Sequence, residues 1–171
     1  MPDGCGVSVD DRSEYQGDGL GLVDDKGRVA IPASLRQALA TNSPRADGKD
    51  GGTVIIAVHP QQKCLRAYDP AYVKILKAEI EAIQARQLNE LGEPNYNLKR
   101  RGASGEPVPF DGSGRFIMPG FPRDYANIGE NAFFWGTFDW IEIWDPKTLV
   151  DAVDVDPAMQ AACRYHCKVK G

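Results

Sequence analysis

Val23-Asp24-Asp25-Lys26-Gly27-Arg28-Val29-Ala30-Ile31-Pro32 recurs further along the chain as Phe110-Asp111-Gly112-Ser113-Gly114-Arg115-Phe116-Ile117-Met118-Pro119, each residue 87 positions after its counterpart. Arg36 and Arg123 extend the match at the same offset. Both segments then lead into a pair of apolar runs that close on aromatic-Asp-Pro, Tyr68-Asp69-Pro70 and Trp144-Asp145-Pro146. So many shared positions in one order mark a tandem duplication.

The chemistry of one unit follows from its residues. An apolar residue precedes Asp24 or Asp111, whose carboxylate can accept backbone N–H groups in a tight turn, and Gly27 or Gly114 supplies the positive φ that a side chain resists. The expectation is a hairpin tip, returning through the short strands Val29-Ala30-Ile31 and Phe116-Ile117-Met118. Pro32 and Pro119 suit the first turn of a helix, where a missing N–H costs nothing. Leu35, Ala38 and Leu39 give the first helix an apolar stripe, with Arg36 and Gln37 facing outward. Gly120 and Pro122 make the second helix poorer. Strands over 53–58 and 64–68, and over 132–136 and 140–144, are expected to form one hairpin in each copy, with Thr137-Phe138-Asp139 the tighter turn.

Between the copies, Val73, Leu76, Ile80, Ile83 and Leu88 recur at helical spacing, which predicts a long helix from Asp69-Pro70 to Leu91. Gly92-Glu93-Pro94-Asn95 should stop it, leaving 97–109 as an extended, basic linker. Residues 42–52 (NSPRADGKDGG) have no counterpart in the second copy and read as a mobile polar loop.

The composition bounds the function. The chain has 171 residues, 20 Lys+Arg and 24 Asp+Glu, for a net charge of −4. Residues 1–14 carry four acids and one arginine, so the acidity is mostly that of an N-terminal extension expected to be disordered. No apolar run approaches the roughly 18 residues that span a bilayer, and the first residues do not read as a secretory signal. The expected location is the cytoplasm, with Cys5, Cys64, Cys163 and Cys167 as thiols.

Duplicated units of the form apolar-Asp-x-x-Gly-Arg-x-x-apolar-Pro, the intervening helix and the ending Ile141-Glu142-Ile143-Trp144-Asp145-Pro146 resemble the MraZ family, from the aromatic-x-Gly opening at Tyr15-Gln16-Gly17 to about Leu149. The resemblance implies an α+β fold of two pseudo-equivalent swapped-hairpin β-barrel units of SpoVT-AbrB type, joined by a long helix. The implied division is an acidic extension (1–14), a first unit (15–69), a connecting helix and turn (70–97), a second unit (98–149) and a C-terminal segment (150–171). The implied function is a nucleoid-associated transcriptional regulator, expected as a repressor of the division and cell-wall gene cluster, that binds short direct repeats in double-stranded promoter DNA as a ring-like homo-oligomer. The family's Asp-x-x-x-Arg element maps onto Asp24 with Arg28 and onto Asp111 with Arg115.

An arginine paired with an aspartate at a turn can be purely structural, or it can be an aimed guanidinium that reaches phosphate or a guanine edge. The second role is favoured for Arg28, which has Lys26 beside it; at Arg115 the lysine is replaced by Ser113, so the first copy is expected to be the better DNA surface. Arg100 and Arg101, beside Lys99, are the densest basic cluster and would add phosphate attraction, as would Arg36 and Arg123. A net negative chain binds DNA weakly alone, and several tips on one oligomer would compensate through avidity.

Cys163, His166 and Cys167 offer three ligands where tetrahedral zinc takes about four, so neither a metal nor a cofactor is expected. Phe133, Phe134, Trp135, Phe138, Trp140 and Trp144 are assigned to core and subunit interface, and His59 to a solvated turn. No catalytic constellation is found, so an enzyme is not expected. The rival reading is an antitoxin-like protein that sequesters a partner.

Overall fold

The computed structural model describes residues 11–45 and 48–170. The expected disorder of the N-terminal extension falls, for residues 1–10, outside the described part. Fourteen elements run in chain order: β1 (Asp18–Leu22), β2 (Arg28–Ala30), α1 (Ala33–Asn42), β3 (Gly52–Val58), β4 (Leu65–Tyr68), α2 (Tyr72–Arg86), α3 (Tyr96–Gly102), β5 (Glu106–Phe110), β6 (Arg115–Ile117), α4 (Gly120–Tyr125), β7 (Asn131–Gly136), β8 (Ile141–Trp144), α5 (Pro146–Asp151) and α6 (Pro157–Lys170).

The duplication becomes a pseudo-twofold arrangement. One antiparallel sheet has the order β1-β7-β8-β4-β3-β5, and β2 pairs with β6 in a separate two-stranded ribbon. Exchanging the halves maps the order onto its own reverse. The symmetry passes through Val29, which faces its own counterpart Phe116 in the ribbon, and through Arg66, which faces Glu142 across β4 and β8.

Two expectations need correction here. The turn after β1 is not the tip of a β1–β2 hairpin: β1 pairs with β7, and β2 with β6. The first strand of each half thus lies against the third strand of the other. Nor do the described residues form two closed barrels; the halves share an open sheet, and the fold is α+β. The expected hairpins β3–β4 and β7–β8 do form.

The long helix ends at Arg86 rather than Leu91. The Asn89 side chain accepts from the N–H groups of Leu91 and Glu93, offering the backbone a turn in place of helix. Residues 97–102 are not an extended linker but belong to α3, whose N-terminus is capped by the Asn95 side chain accepting from Asn97 N–H. α3 folds back on α2, with Gln84 donating to the Asn95 carbonyl and Lys99 lying 3.6 Å from Glu81.

Strand alternation divides the core into layers. On the face toward the ribbon, Phe134, Ile141 and Ile143 pack with Val54, Ile56, Phe110, Val29, Phe116, Leu35 and Leu39. On the opposite face, Phe133 and Trp144 are covered by Leu149, Met159 and Cys163 of α5 and α6. Tyr68 packs there with Tyr72 and Leu76 of α2. The aromatic set thus divides: Phe133, Phe134 and Trp144 are core, whereas Phe138 is exposed at positive φ in its turn.

Both ends of the 42–52 loop are held. Asn42 exchanges hydrogen bonds with the backbone of Ser13, and Ser43 Oγ donates to Thr53 O at 2.7 Å and accepts from Thr53 N–H at 3.0 Å. Residues 11–14 are likewise not loose: Arg12 forms a buried ion pair of 2.6 Å with Asp69, which also accepts from Tyr15 Oη.

Candidate nucleic-acid interface

The two turns are built alike, atom for atom. Asp24 Oδ1 accepts from the N–H groups of Lys26 and Arg28 at 2.9 and 2.8 Å, and Asp111 Oδ1 accepts from Ser113 and Arg115, both at 2.9 Å. Gly27 and Gly114, at φ +84° and +78°, donate to the Asp24 and Asp111 carbonyls and close the turns. The second carboxylate oxygen of each aspartate takes the neighbouring arginine: Arg28 Nε donates to Asp24 Oδ2 at 2.8 Å, and Arg115 Nε to Asp111 Oδ2 at 2.9 Å. Because the pairing uses Nε, the terminal nitrogens, with four N–H groups, are left for a ligand. Those groups match a phosphate or the O6/N7 edge of guanine.

These carboxyls are held below the usual carboxylate range. At Asp24 the Arg28 backbone N–H is the main cause, followed by its guanidinium; at Asp111 the Arg115 backbone N–H leads. Both stay ionised across the neutral range and keep their arginines aimed.

The ribbon turns Val29 and Phe116 inward and Arg28, Ala30, Arg115 and Ile117 outward. The antiparallel register sets Arg28 opposite Ile117 and Ala30 opposite Arg115. Its solvent face therefore carries two arginines on a diagonal, with side chains 54% and 63% exposed, and two small or apolar residues between them. Lys26 is exposed at the first turn, where the second has Ser113.

Each turn is roofed by an arginine from the other half. Arg36 reaches from α1 to donate to Ser113 O at 2.7 Å, and Arg123 of α4 lies beside Gly27 while donating to the Ile128 and Gly129 carbonyls. Sequence reading gave these residues only a generic surface role, since nothing local shows that a helix of one half covers the turn of the other.

Six of the eight candidate residues, Asp24, Lys26, Arg28, Arg36, Asp111 and Arg115, thus belong to one surface. Arg100 and Arg101 do not join it. They lie on α3, where Arg100 donates to Asn97 Oδ1 and Arg101 donates to the His59 carbonyl at 2.7 Å.

That contact leads to a residue the sequence misplaced. His59 is buried, not solvated: its Nδ1 accepts from Gln61 and Gln62 N–H, and its Nε2 lies 3.1 Å from Glu142 Oε2. With Cys64 these side chains form the one cluster of metal-ligand spacing among the described residues. The donor chemistry does not fit an ion. Two N–H donors fix Nδ1 as an acceptor, so Nε2 carries the proton and donates a hydrogen bond to Glu142. Burial, with the Glu142 charge adding to it, pushes the Cys64 thiol far up, away from thiolate. Cys163, His166 and Cys167 do not converge as ligands either; Cys163 is buried in helix packing and His166 lies 3.2 Å from Asp18.

No protein-family model matches the chain. It is similar to curated proteins called transcriptional regulator MraZ: 32% identical to that of Shewanella oneidensis over 77% of this chain and 80% of the relative. It is 28% identical to that of Pseudomonas fluorescens over 81% and 85%. To that of a Ruegeria species it is 28% identical over 78% of each. The duplicated Asp-x-x-x-Arg turns and the extent of this similarity lead to one conclusion: the chain belongs to the MraZ family of transcriptional regulators.

Proposed function

We propose that this protein binds double-stranded promoter DNA through the β2–β6 ribbon, as a regulator, and chiefly a repressor, of the division and cell-wall gene cluster. The observation that carries this reading is the diagonal pair of exposed arginines, each braced by its own aspartate, on the outer face of a two-stranded antiparallel ribbon. A two-stranded ribbon fits the major groove, where arginine reads guanine bidentately and small apolar groups can meet thymine methyls. Ala30 and Ile117 occupy the positions for such contacts.

The exchange of first strands between the halves supports a swapped-hairpin description of two SpoVT-AbrB type units, 15–69 and 98–149, linked by 70–97. A net charge of −4 supports assembly. One ribbon offers few phosphate contacts, and affinity falls steeply with salt when phosphate neutralisation dominates. A ring-like homo-oligomer that presents several ribbons to successive repeats gains avidity through effective concentration. The site of action is the cytoplasm, at the nucleoid. Among the described residues no helix is long and apolar enough to cross a membrane.

The test is a binding titration on the DNA upstream of the protein's own gene, with wild type, Arg28→Ala and Arg115→Ala at matched oligomer size. Each substitution is expected to weaken binding by about 1–3 kcal/mol, roughly five- to 150-fold, with assembly intact. Wild-type failure to bind at low salt, with an intact oligomer, overturns the reading and favours a protein partner.

A further inference from the structure

The two turns share a backbone but not a charge. Lys26 stands at the first turn and Ser113 at the second, so the second has lost a cation. Asp50 and Gly51 of the 42–52 insertion, which only the first half contains, lie against the poorer turn. A Cβ on Gly51 would come within 2.2 Å of Phe110 O, and one on Gly112 within 2.7 Å of Asp50 Cβ; the insertion and the second turn are in flush contact. β3 then enters the sheet with Gly52 opposite Phe110.

This docking brings in Arg45. Its Nη1 donates to Asp50 O at 3.3 Å, and its side chain lines a groove of about 390 Å³ together with Arg28 and Arg115. Pro109, Phe110 and Ile117 are among its apolar lining, and among the described residues Asp111 is the one acid there. That carboxylate is already engaged, with Oδ1 on two backbone N–H groups and Oδ2 on Arg115. Arg45, which lines this groove with apolar Pro109 and Phe110, matches a sugar–phosphate unit and leaves Arg28 and Arg115 to the bases: the phosphate takes forked N–H donors, and the sugar carbons take the apolar surface.

We propose that Arg45, carried in by the insertion, completes a groove that binds a sugar–phosphate unit of the DNA backbone beside the second half of the ribbon. Arg45 takes the place of the missing lysine from a different segment of the chain. The pseudo-symmetric ribbon thereby acquires a direction on the duplex, with Lys26 at one end and the Arg45 groove at the other. Contact is with the backbone, so Arg45 adds affinity without selecting bases. The inference rests on the DNA reading above, and its test separates the two.

Full-length wild type, Arg45→Gln and Arg45→Gln/Ser113→Lys are titrated in a salt series against the upstream duplex and against a duplex of mixed sequence. Arg45 is exposed, and equal thermal melting of all three confirms an unchanged fold. Losing one phosphate contact lowers the slope of log affinity against log salt by about one. The expected result is that drop for Arg45→Gln, with the same fold-loss on both duplexes, and recovery of the slope when lysine is placed at 113. Wild-type binding with an unchanged Arg45→Gln slope overturns this inference alone; no wild-type binding at low salt overturns it together with the DNA reading. A loss confined to the upstream duplex overturns the backbone assignment. So does an unchanged slope accompanied by loss of calorimetric binding of thymidine 5′-monophosphate, which would assign the groove to free nucleotides.

Discussion

Asp24 and Asp111 each offer one carboxylate oxygen to two backbone N–H groups and the other to an arginine, so one side chain shapes the turn and aims the cation. This was legible in the sequence because every atom involved lies within five consecutive residues. The glycines separate what the two turns share from what they do not. Both hold positive φ, which costs a side chain about 1–2 kcal/mol. A Cβ on Gly27 would find its nearest neighbour at 3.5 Å, whereas one on Gly114 would sit 2.7 Å from Arg36 Cδ and 3.1 Å from Ile31 O. Gly114→Ala is therefore expected to lose about 1 kcal/mol more than Gly27→Ala in urea unfolding. Equal losses would mean that Arg36 yields freely and does not brace the second turn. His59 shows the limit of local reading: a histidine beside proline looks like a surface turn, and only the arrival of Glu142 on β8 makes it part of a buried network.

Secondary-structure elements were legible where their signals were local. The Gly120/Pro122 interruption shortens α4 to 6 residues against 10 for α1. α3 was missed because a single turn or two capped by asparagine leaves little apolar periodicity, and its basic residues looked like a solvated run. Its position matters, because Arg101 ties α3 to the His59 carbonyl and so to β8 through Glu142. Burial pushes the Glu142 carboxyl up, but the His59 and Trp144 donors outweigh it and hold it below its usual 4.5. A depressed carboxyl contributes stability that is fully present above its unfolded value and lost as pH falls through the folded one. Glu142→Gln, which removes the charge and keeps one acceptor oxygen for the two donors, should flatten the acid limb of the unfolding-stability profile below about pH 4.5. An acid limb as steep as that of wild type would place the pH dependence elsewhere.

At the scale of the whole molecule, the offset repeat announced a pseudo-twofold protein but not how its halves combine. Period-two alternation fixes which face of a strand is buried and says nothing of which copy supplies the neighbour. The exchange of β1 and β5 between the halves, with β2 on β6, follows from burying Val29 and Phe116 together at the centre, and it sets both arginines on one surface. Arg100 and Arg101, expected to add only phosphate attraction, belong to a different layer. Amide hydrogen exchange on the oligomer, free and bound to the upstream duplex, reports directly which surface DNA covers. The account predicts added protection over 24–30 and 111–117 in both halves, with 97–102 unchanged. Protection over 97–102 while both turns exchange as in the free protein would contradict it.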